Sequence, residues 1–423
     1  MSFRGPAIFK TNGGLGQTAP SDRNVAVLLV ARGYATAESS LGDIHELNSL
    51  DDAEALGFSA SSDANAAPDT TAMIWYHVSE FFRLNPDGKL YLVNGNAVAP
   101  ANIFASGNIA DQAMATAQNG IRYMGVVFGV DPDDTITVAN GFADFVATTR
   151  AAAQLWAEER AAAHVYVDTI VIEGYAASTT LVDLKATDAP QVHITTACDV
   201  GYLEPVGEAA LLKSAAVGTV LGSIGVRMLS ESMGSVTLER YPSTARGAAN
   251  YSLVDTRRGR WLKPGLSDGR LFDDLTQAVR DDLTAKAYGY AGRYEGYQGV
   301  YFNGDATCST VTDDFNTIHT NRIWNESARM VRRALIPKMN SRVRIDPETG
   351  RIAPATIADW DAAAKRQLDT LLAEGEIADY AFTLDPEQDV IAQGKVVTRL
   401  RIVPQGIAKA IEAEIGFTNP AQA

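Results

Sequence analysis

The chain has 423 residues, 46% hydrophobic and 21% charged, with a formal net charge of −15. That balance fits a globular protein long enough for two or three domains, and the negative charge argues against bulk nucleic-acid binding. The longest fully apolar run, Val25 to Ala31, is far too short to span a bilayer, and Cys198 and Cys308 alone cannot build a disulfide framework, so maturation in a reducing cytoplasm is expected.

Residues 1–24 are rich in glycine, proline and polar side chains and read as an extended arm, with one small apolar cluster at Pro6, Ala7, Ile8 and Phe9. No apolar stretch of signal-peptide type follows Met1, so no secretory signal is expected. Val25 to Val30 predicts a buried strand, and Ser59 to Thr70 a loop. Ile74, Val78, Phe81 and Phe82 mark a helix face, and a turn at Asn85 to Gly88 leads into a strand at Lys89 to Asn94. Further strands are predicted at Ile121 to Val130, Val165 to Gly174 and Gln191 to Cys198, with a long helix from about Phe142 to His164. Glu208 to Met228 reads as a helix weakened by three glycines. Alternating strands and helices make residues 25–300 an α/β region.

The pattern changes after the tyrosine- and glycine-rich stretch Ala287 to Gly304. A helix is predicted from about Thr320 to Met339. A second follows Pro354, with Thr356 and Asp359 at capping-box spacing, an apolar face of Ile357, Trp360, Ala364, Leu368 and Leu371, and Gly375 as its stop. Ile377 to Asp385 and two terminal segments complete an α+β domain. The first terminal segment alternates, with Val396, Thr398, Leu400 and Ile402 on one face and Val397, Arg399, Arg401 and Val403 on the other. The second is ambiguous. Ile407, Ile411 and Ile415 fit a helix face, while Ile407, Lys409, Ile411, Ala413, Ile415 and Phe417 fit a strand face with Glu412 and Glu414 opposite. Residues 321–423 hold 14 basic and 14 acidic side chains, so residues 1–320 carry the whole −15. Asn321 to Arg351, with eight basic and three acidic residues, is locally +5.

No catalytic constellation emerges. His45, His77, His164, His193 and His319 are scattered, none at metal-ligand spacing with another histidine or a cysteine. On one continuous strand, His193 and Cys198 would face opposite sides and could not form a dyad. Gly13 to Thr18 lacks the lysine and preceding strand of a phosphate loop, and Leu221 to Gly225 misses the nucleophile-elbow pattern. Asp131 to Asp134 lacks the spacing of a calcium loop and reads as an acidic turn. No enzymatic activity, cofactor or metal is expected.

Both ends of the chain carry a family resemblance. The basic helix opened by Asn321-Arg322, the second helix, the segment Tyr380 to Asp389 and the two terminal segments resemble, in that order, the C-terminal domain of contractile tail sheath proteins. Those proteins build the sheaths of contractile phage tails, R-type pyocins and related injection systems. "GPAIFK", "VAVLLVARGYAT" and "EFFRLNPDGKLYLVN" are similar to the family's opening. The resemblance covers about 200 residues; about 95–300 shows a generic α/β pattern where such proteins vary. Asp389 stands where many members have asparagine.

The resemblance implies a multidomain chain, α/β and α+β. It would have an N-terminal arm at 1–24 and an outer α/β region at 25–300, in one or two subdomains. A C-terminal α+β sheath domain at 301–423 would include a terminal arm at 405–423. It implies a structural subunit that polymerises around an inner tube and contracts to drive it through a target envelope. Pro6, Ala7, Ile8 and Phe9 at one end and Ile407, Ile411, Ala413, Ile415 and Phe417 at the other would be strand-exchange arms. Val396, Thr398, Leu400 and Ile402 would form the strand accepting them. Arg329, Arg332, Arg333, Lys338 and Arg342, from the basic stretch, are candidates to face the tube. Implied partners are further copies of the chain, the inner tail tube protein, and baseplate and tail terminator proteins, without nucleic acid or membrane insertion. The particle would be a virion tail or an extracellular contractile machine assembled in a bacterial host's cytoplasm. Competing readings are an α/β enzyme, such as a nucleotide-dependent hydrolase with an oligomerisation domain, and a non-contracting shell protein.

Overall fold

The structure, a computed structural model, describes residues 23–139, 141–239 and 250–413. They form two compact units. One comprises the described residues up to Arg227 together with Met233–Asn321; the other comprises Met228–Ser232 and the described residues from Arg322 onward.

The first unit opens with β1 (Val25–Val30), β2 (Ile44–Leu47), α1 (Leu50–Ala55), α2 (Ala60–Ala66) and α3 (Ile74–Leu84). Then come β3 (Lys89–Asn94), α4 (Ile109–Thr116), β4 (Tyr123–Val127) and a short ribbon of β5 (Val138–Ala139) with β6 (Phe142–Ala143). It continues through α5 (Asp144–Ala162), β7 (Thr169–Glu173), β8 (Val192–Thr195), β9 (Ala197–Asp199), α6 (Val200–Leu203) and α7 (Val217–Val226). It closes with β10 (Pro264–Leu266), α8 (Gln277–Ala285), β11 (Ala291–Gly292) and β12 (Tyr301–Phe302).

Six of these strands form one sheet in the order β2-β3-β1-β4-β7-β8. Neighbours run parallel except β2, which is antiparallel to β3. β1 is unbroken in its hydrophobicity because both its faces are covered. Ala26, Leu28 and Val30 join the core that includes α3 and α7, while Val27 and Leu29 join the core that includes α4 and α5.

Three local expectations are corrected. Ser59 to Thr70 is not a loop: Ser59 caps α2, and Ser62 bonds back to it as a capping box made of two serines. Within α2, the buried Asp63 receives the N–H groups of Trp75 and Tyr76 and the Tyr34 hydroxyl, and so caps α3 from outside. Gln191 to Cys198 breaks at Thr196 into β8 and β9, which belong to different sheets; β9 pairs with β10. Glu208 to Met228 is a 3-10 turn at Ala209–Lys213, an extended link, and then α7, because Glu173 draws the Ala215 N–H out of helical pairing.

Close approach explains the glycines of α7. A Cβ on Gly218 would lie 2.2 Å from the His77 carbonyl oxygen, and one on Gly222 would lie 2.9 Å from that of Phe81. α7 therefore lays a glycine face directly on the α3 backbone. Gly218→Ala should destabilise the chain by at least about 2 kcal/mol, since backbone must shift to admit the methyl; a urea unfolding midpoint close to wild type would contradict this packing.

Glu80 lies on α3, fully buried. Its carboxylate receives Arg83 through two hydrogen bonds of 2.7 and 2.5 Å, Trp261 Nε1 at 3.0 Å and Thr219 Oγ1 at 3.2 Å, with Arg260 Nε 3.5 Å away. These cations hold its pKa below the usual range against the opposing effect of burial. Glu173 at the end of β7 has no such cation. It accepts the N–H groups of Phe128 and Ala215, and burial raises its pKa to about 7. Between the ordinary carboxylate range and pH 7 the folded chain keeps a proton that the unfolded chain has released. This group's contribution to stability therefore falls as pH rises through that window. Relative to Glu173→Gln, wild type should lose on the order of 2–3 kcal/mol between pH 5 and pH 8; parallel stability–pH curves for the two proteins would refute the assignment.

α9 (Ile318–Leu335) starts where Asp305 accepts the Ile318 N–H on its carbonyl and the His319 N–H on its carboxylate. The second unit holds the residues of α9 from Arg322, then α10 (Pro354–Ala373), β13 (Ile377–Leu384), α11 (Val390–Gln393) and β14 (Thr398–Pro404). α10 begins two residues before the expected cap, because Pro354 with its fixed φ takes the first helical turn; Gly375 ends it in the left-handed region.

Candidate functional site

The second unit is built around a small core. Ile323 and Met330 from α9, Ala364, Leu368 and Leu371 from α10, and Ile377, Phe382 and Leu384 from β13 form it, with Leu229 from the Met228–Ser232 segment. That segment is held by polar contacts within the unit. Arg322 Nη1 donates to the Met228 carbonyl at 2.9 Å, and Glu376 accepts both the N–H and the hydroxyl of Ser230 at 2.9 Å.

β13 and β14 make an antiparallel pair, with Tyr380 opposite Ile402, Phe382 opposite Leu400 and Leu384 opposite Thr398. The alternation read from the sequence is present. Leu400 and Ile402 pack on the core, while Arg399, Arg401, Val397 and Val403 are exposed. A register shift between Ile377 and Asp379 lets Ile377 join the core alongside the even-numbered residues. Ahead of β14, the Gln388 amide accepts the Val397 N–H and donates to the Val397 carbonyl, standing in for a strand neighbour. Asp389 caps α11 by accepting the Ala392 N–H.

Among the described residues no third strand joins β13 and β14. Beyond Pro404, Gln405 donates to the Gly375 carbonyl, Ile407 is half-buried, and Ala408 to Ala413 are exposed without regular structure, Ile411 at 87%. Neither a helix nor a strand forms as far as Ala413. Ile415 and Phe417, like Pro6, Ala7, Ile8 and Phe9 and the Gly13 to Thr18 stretch, lie outside the described residues. Of the fifteen exposed large hydrophobic residues among the described residues, eight are in the second unit: Trp324, Ile336, Met339, Leu372, Ile391, Val397, Val403 and Ile411. That unit contributes about a quarter of the described residues, so its apolar surface is disproportionate.

The basic candidates divide. Arg329 pairs with Glu326 at 3.2 Å, and Lys338 pairs with Asp359 at 2.5 Å. Arg332 and Arg333 are exposed at the end of α9, where positive charge suits the helix dipole, and Arg342 is exposed beyond it.

The residues weighed for chemistry take structural places. His77 accepts the Gly218 N–H, and burial lowers its pKa to about 3. His193 meets the Ala306 carbonyl, and His319 meets Asp305 at 2.5 Å. His45 lies beside Ser39, and His164 takes the left-handed position after α5. Both cysteines are buried, Cys308 with its thiol pushed up to about 12. No group of three potential metal ligands occurs among the described residues. A parallel sheet of this order takes ligands where β1 and β4 diverge. There the loops are knit to one another: Arg32 pairs with Asp131 at 2.8 Å, its carbonyl accepts from Thr70, and a Cβ on Gly129 would lie 2.0 Å from that same carbonyl oxygen. Asp131, in the acidic turn, is thus neutralised from within. The sequence reading missed the Glu80–Arg83–Arg260 network, whose one visible signal was the clustering of Arg257, Arg258 and Arg260.

Two family models match, described as DUF2586, N-terminal domain, over residues 3–306 and DUF2586, C-terminal domain, over residues 314–422. No curated protein matches the sequence. Among solved structures, the anti-feeding prophage helical sheath in its contracted state aligns at 17% identity with a TM-score of 0.57, over 98% of this chain and 99% of that one. The sheath complex of an extracellular contractile injection system, also contracted, aligns at 14% identity and 0.57, over 100% and 99%. A sheath tail protein from Desulfitobacterium hafniense aligns at 11% identity and 0.50, over 95% and 100%. The described residues share the fold of contractile tail sheath proteins.

Proposed function

The chain belongs to the DUF2586 family, and we propose that it is the sheath subunit of a contractile tail or injection particle. The observation that carries this reading is the likeness to sheath folds along nearly the full length of the chain, together with a second unit that holds more than its share of the exposed large hydrophobics among the described residues. Copies would polymerise around an inner tube, engage a baseplate and a terminator at the ends, and contract to drive the tube through an envelope. The assembly would belong to a virion tail or an extracellular particle put together in a bacterial cytoplasm. Its work comes from two packings of the same subunits and not from hydrolysis. At roughly 25 cal/mol per Å2, an extra few hundred Å2 of apolar contact per subunit supplies several kcal/mol.

The open edges of β13 and β14 are the natural acceptors for strands donated by neighbouring copies, and the segment from Gln405 onward, with residues 6–9 at the other end, are the donors. Ile411 is exposed in the single chain, so Ile411→Glu should leave its unfolding midpoint unchanged within about 0.5 kcal/mol. It should nevertheless abolish long tubes in negative-stain images, because a charge would enter the donated strand's buried face; Glu412→Lys should assemble normally. Chains lacking residues 405–423, or lacking 1–24, should remain folded and fail to build sheaths. If both truncations still form long tubes, strand exchange is the wrong account.

Arg332, Arg333 and Arg342 are the better candidates for contact with the tube, since Arg329 and Lys338 are already paired within the chain. Replacing Arg332 and Arg333 with glutamate should weaken co-assembly with the tube protein while the monomer keeps its circular dichroism. Undiminished co-sedimentation would remove this part of the proposal.

A further inference from the structure

The first unit contains a cleft of about 260 Å3, walled by Leu50, Trp75 and Phe82 and lined by Arg83, Arg258 and Arg260. Glu80, which also lines it, is fully engaged with Arg83, Trp261 and Thr219 and lies near Arg260. That leaves Arg83 Nη1 and Arg260 Nη1 buried without an acceptor, although both side chains are more than nine-tenths buried. Trp75 Nε1 is a third buried donor without a partner. Arg260 is fixed in place, its guanidinium stacked 3.6 Å above the Tyr202 ring and 4.8 Å from that of Tyr76. Arg258 is largely exposed and pairs with Asp255 at 3.2 Å.

Two other carboxyls face Arg260, and neither lines the cleft. Asp63 is taken up by the start of α3 and by Tyr34, and Asp199 accepts the Trp261 N–H. The cleft's own ionic groups are therefore three guanidiniums against Glu80, with Asp255, outside the lining, paired to Arg258. Unfilled donors on two rigid arginines, an indole N–H and an apolar wall are the complement of a planar or tetrahedral oxyanion attached to a short carbon chain.

We propose that this cleft is an oxyanion-binding site for a carboxylate or phosphate group, held by Arg83, Arg260 and Trp75 with Arg258 at its mouth. The inference is independent of the sheath reading. The oxyanion has two possible sources, a free anion or an acidic side chain of a second copy; copies of a chain with a net charge of −15 carry carboxylates in excess.

The test uses the purified full chain. Calorimetric titrations with sodium phosphate and with sodium glutarate, against sodium chloride at matched ionic strength, should show saturable binding at a single site. Arg258→Ser should weaken it about tenfold, the loss of one charge-assisted hydrogen bond, and Trp75→Phe should weaken it while preserving the aromatic wall. Both variants leave Glu80, Arg83 and Arg260 in place, and their unfolding midpoints report that the fold is intact. If neither anion binds, sedimentation velocity at low and high salt examines the second source: salt-sensitive self-association reduced by both variants assigns the site to a neighbour's carboxylate. Binding or self-association equal in wild type and both variants overturns the proposal. So does a chain that neither binds these anions nor associates.

Discussion

A carboxylate with no access to water sets much of the first unit. Removing Glu80 from solvent is costly unless its charge is met, and the chain meets it from three directions: Arg83 one turn along α3, Thr219 from α7, and Trp261 with Arg260 from the segment before β10. Those contacts fix α7 on α3 at a separation that only glycines tolerate. The same helix pair covers one face of β1, so the electrostatic requirement and the glycine requirement are one constraint expressed at two places. Arg260 also stacks on Tyr202 and Tyr76, extending the arrangement to α6. A site with two buried arginines and one buried carboxylate keeps unused donor capacity, which is why the proposed small-anion recognition falls in this region and not at His77, His193 or His319, each of which has a ring nitrogen engaged in a structural contact.

The second unit obeys a different constraint. A two-stranded sheet is marginal in water, and β13 with β14 stands because α9 and α10 cover one of its faces. On the other face the odd-numbered side chains of β14 are exposed, and among the described residues no third strand pairs with either edge. Gln388 shows how the chain treats the problem locally, offering its side-chain amide to Val397 where a strand would otherwise pair. That substitution protects one residue. The remaining edge groups, with Val397 and Val403 exposed at the two ends of β14, are suited to partners that arrive as strands.

How much of this was legible in the sequence follows from range. Period-two alternation in Val396 to Val403 survived into the structure because it reports which face meets an adjacent helix, a local fact. β1 and α3 were legible for the same reason. Ser59 to Thr70 was not, since two serines can form a capping box without the usual acidic residue, and polar composition then resembles a loop. The break at Thr196 and the interruption before α7 depend on Glu173 and on the pairing of β9 with β10, contacts between residues far apart in the chain. The basic candidates were identified by charge alone; which of them are self-paired required Glu326 and Asp359 to be placed beside them. The cleft draws on residues from Leu50 to Arg260, and no spacing rule joins those positions.

These two constraints suggest why one chain carries both units. The parallel sheet is covered on both faces, its loops after β1 and β4 are tied by the Arg32–Asp131 pair, and Glu80 is met by Arg83 and Arg260, so this unit is built as a packed body. The small unit is unfinished, with a core of few side chains and open edges. On the proposed sheath reading, an assembly that alternates between two packings would need a body that does not deform and a joint that remains connected. Main-chain pairing suits the joint, because a donated strand keeps its register through alternating side chains while the subunits it links reorient. In such an assembly, apolar surface buried against neighbours would decide which packing is lower in free energy, and no bond in the subunit would have to be made or broken.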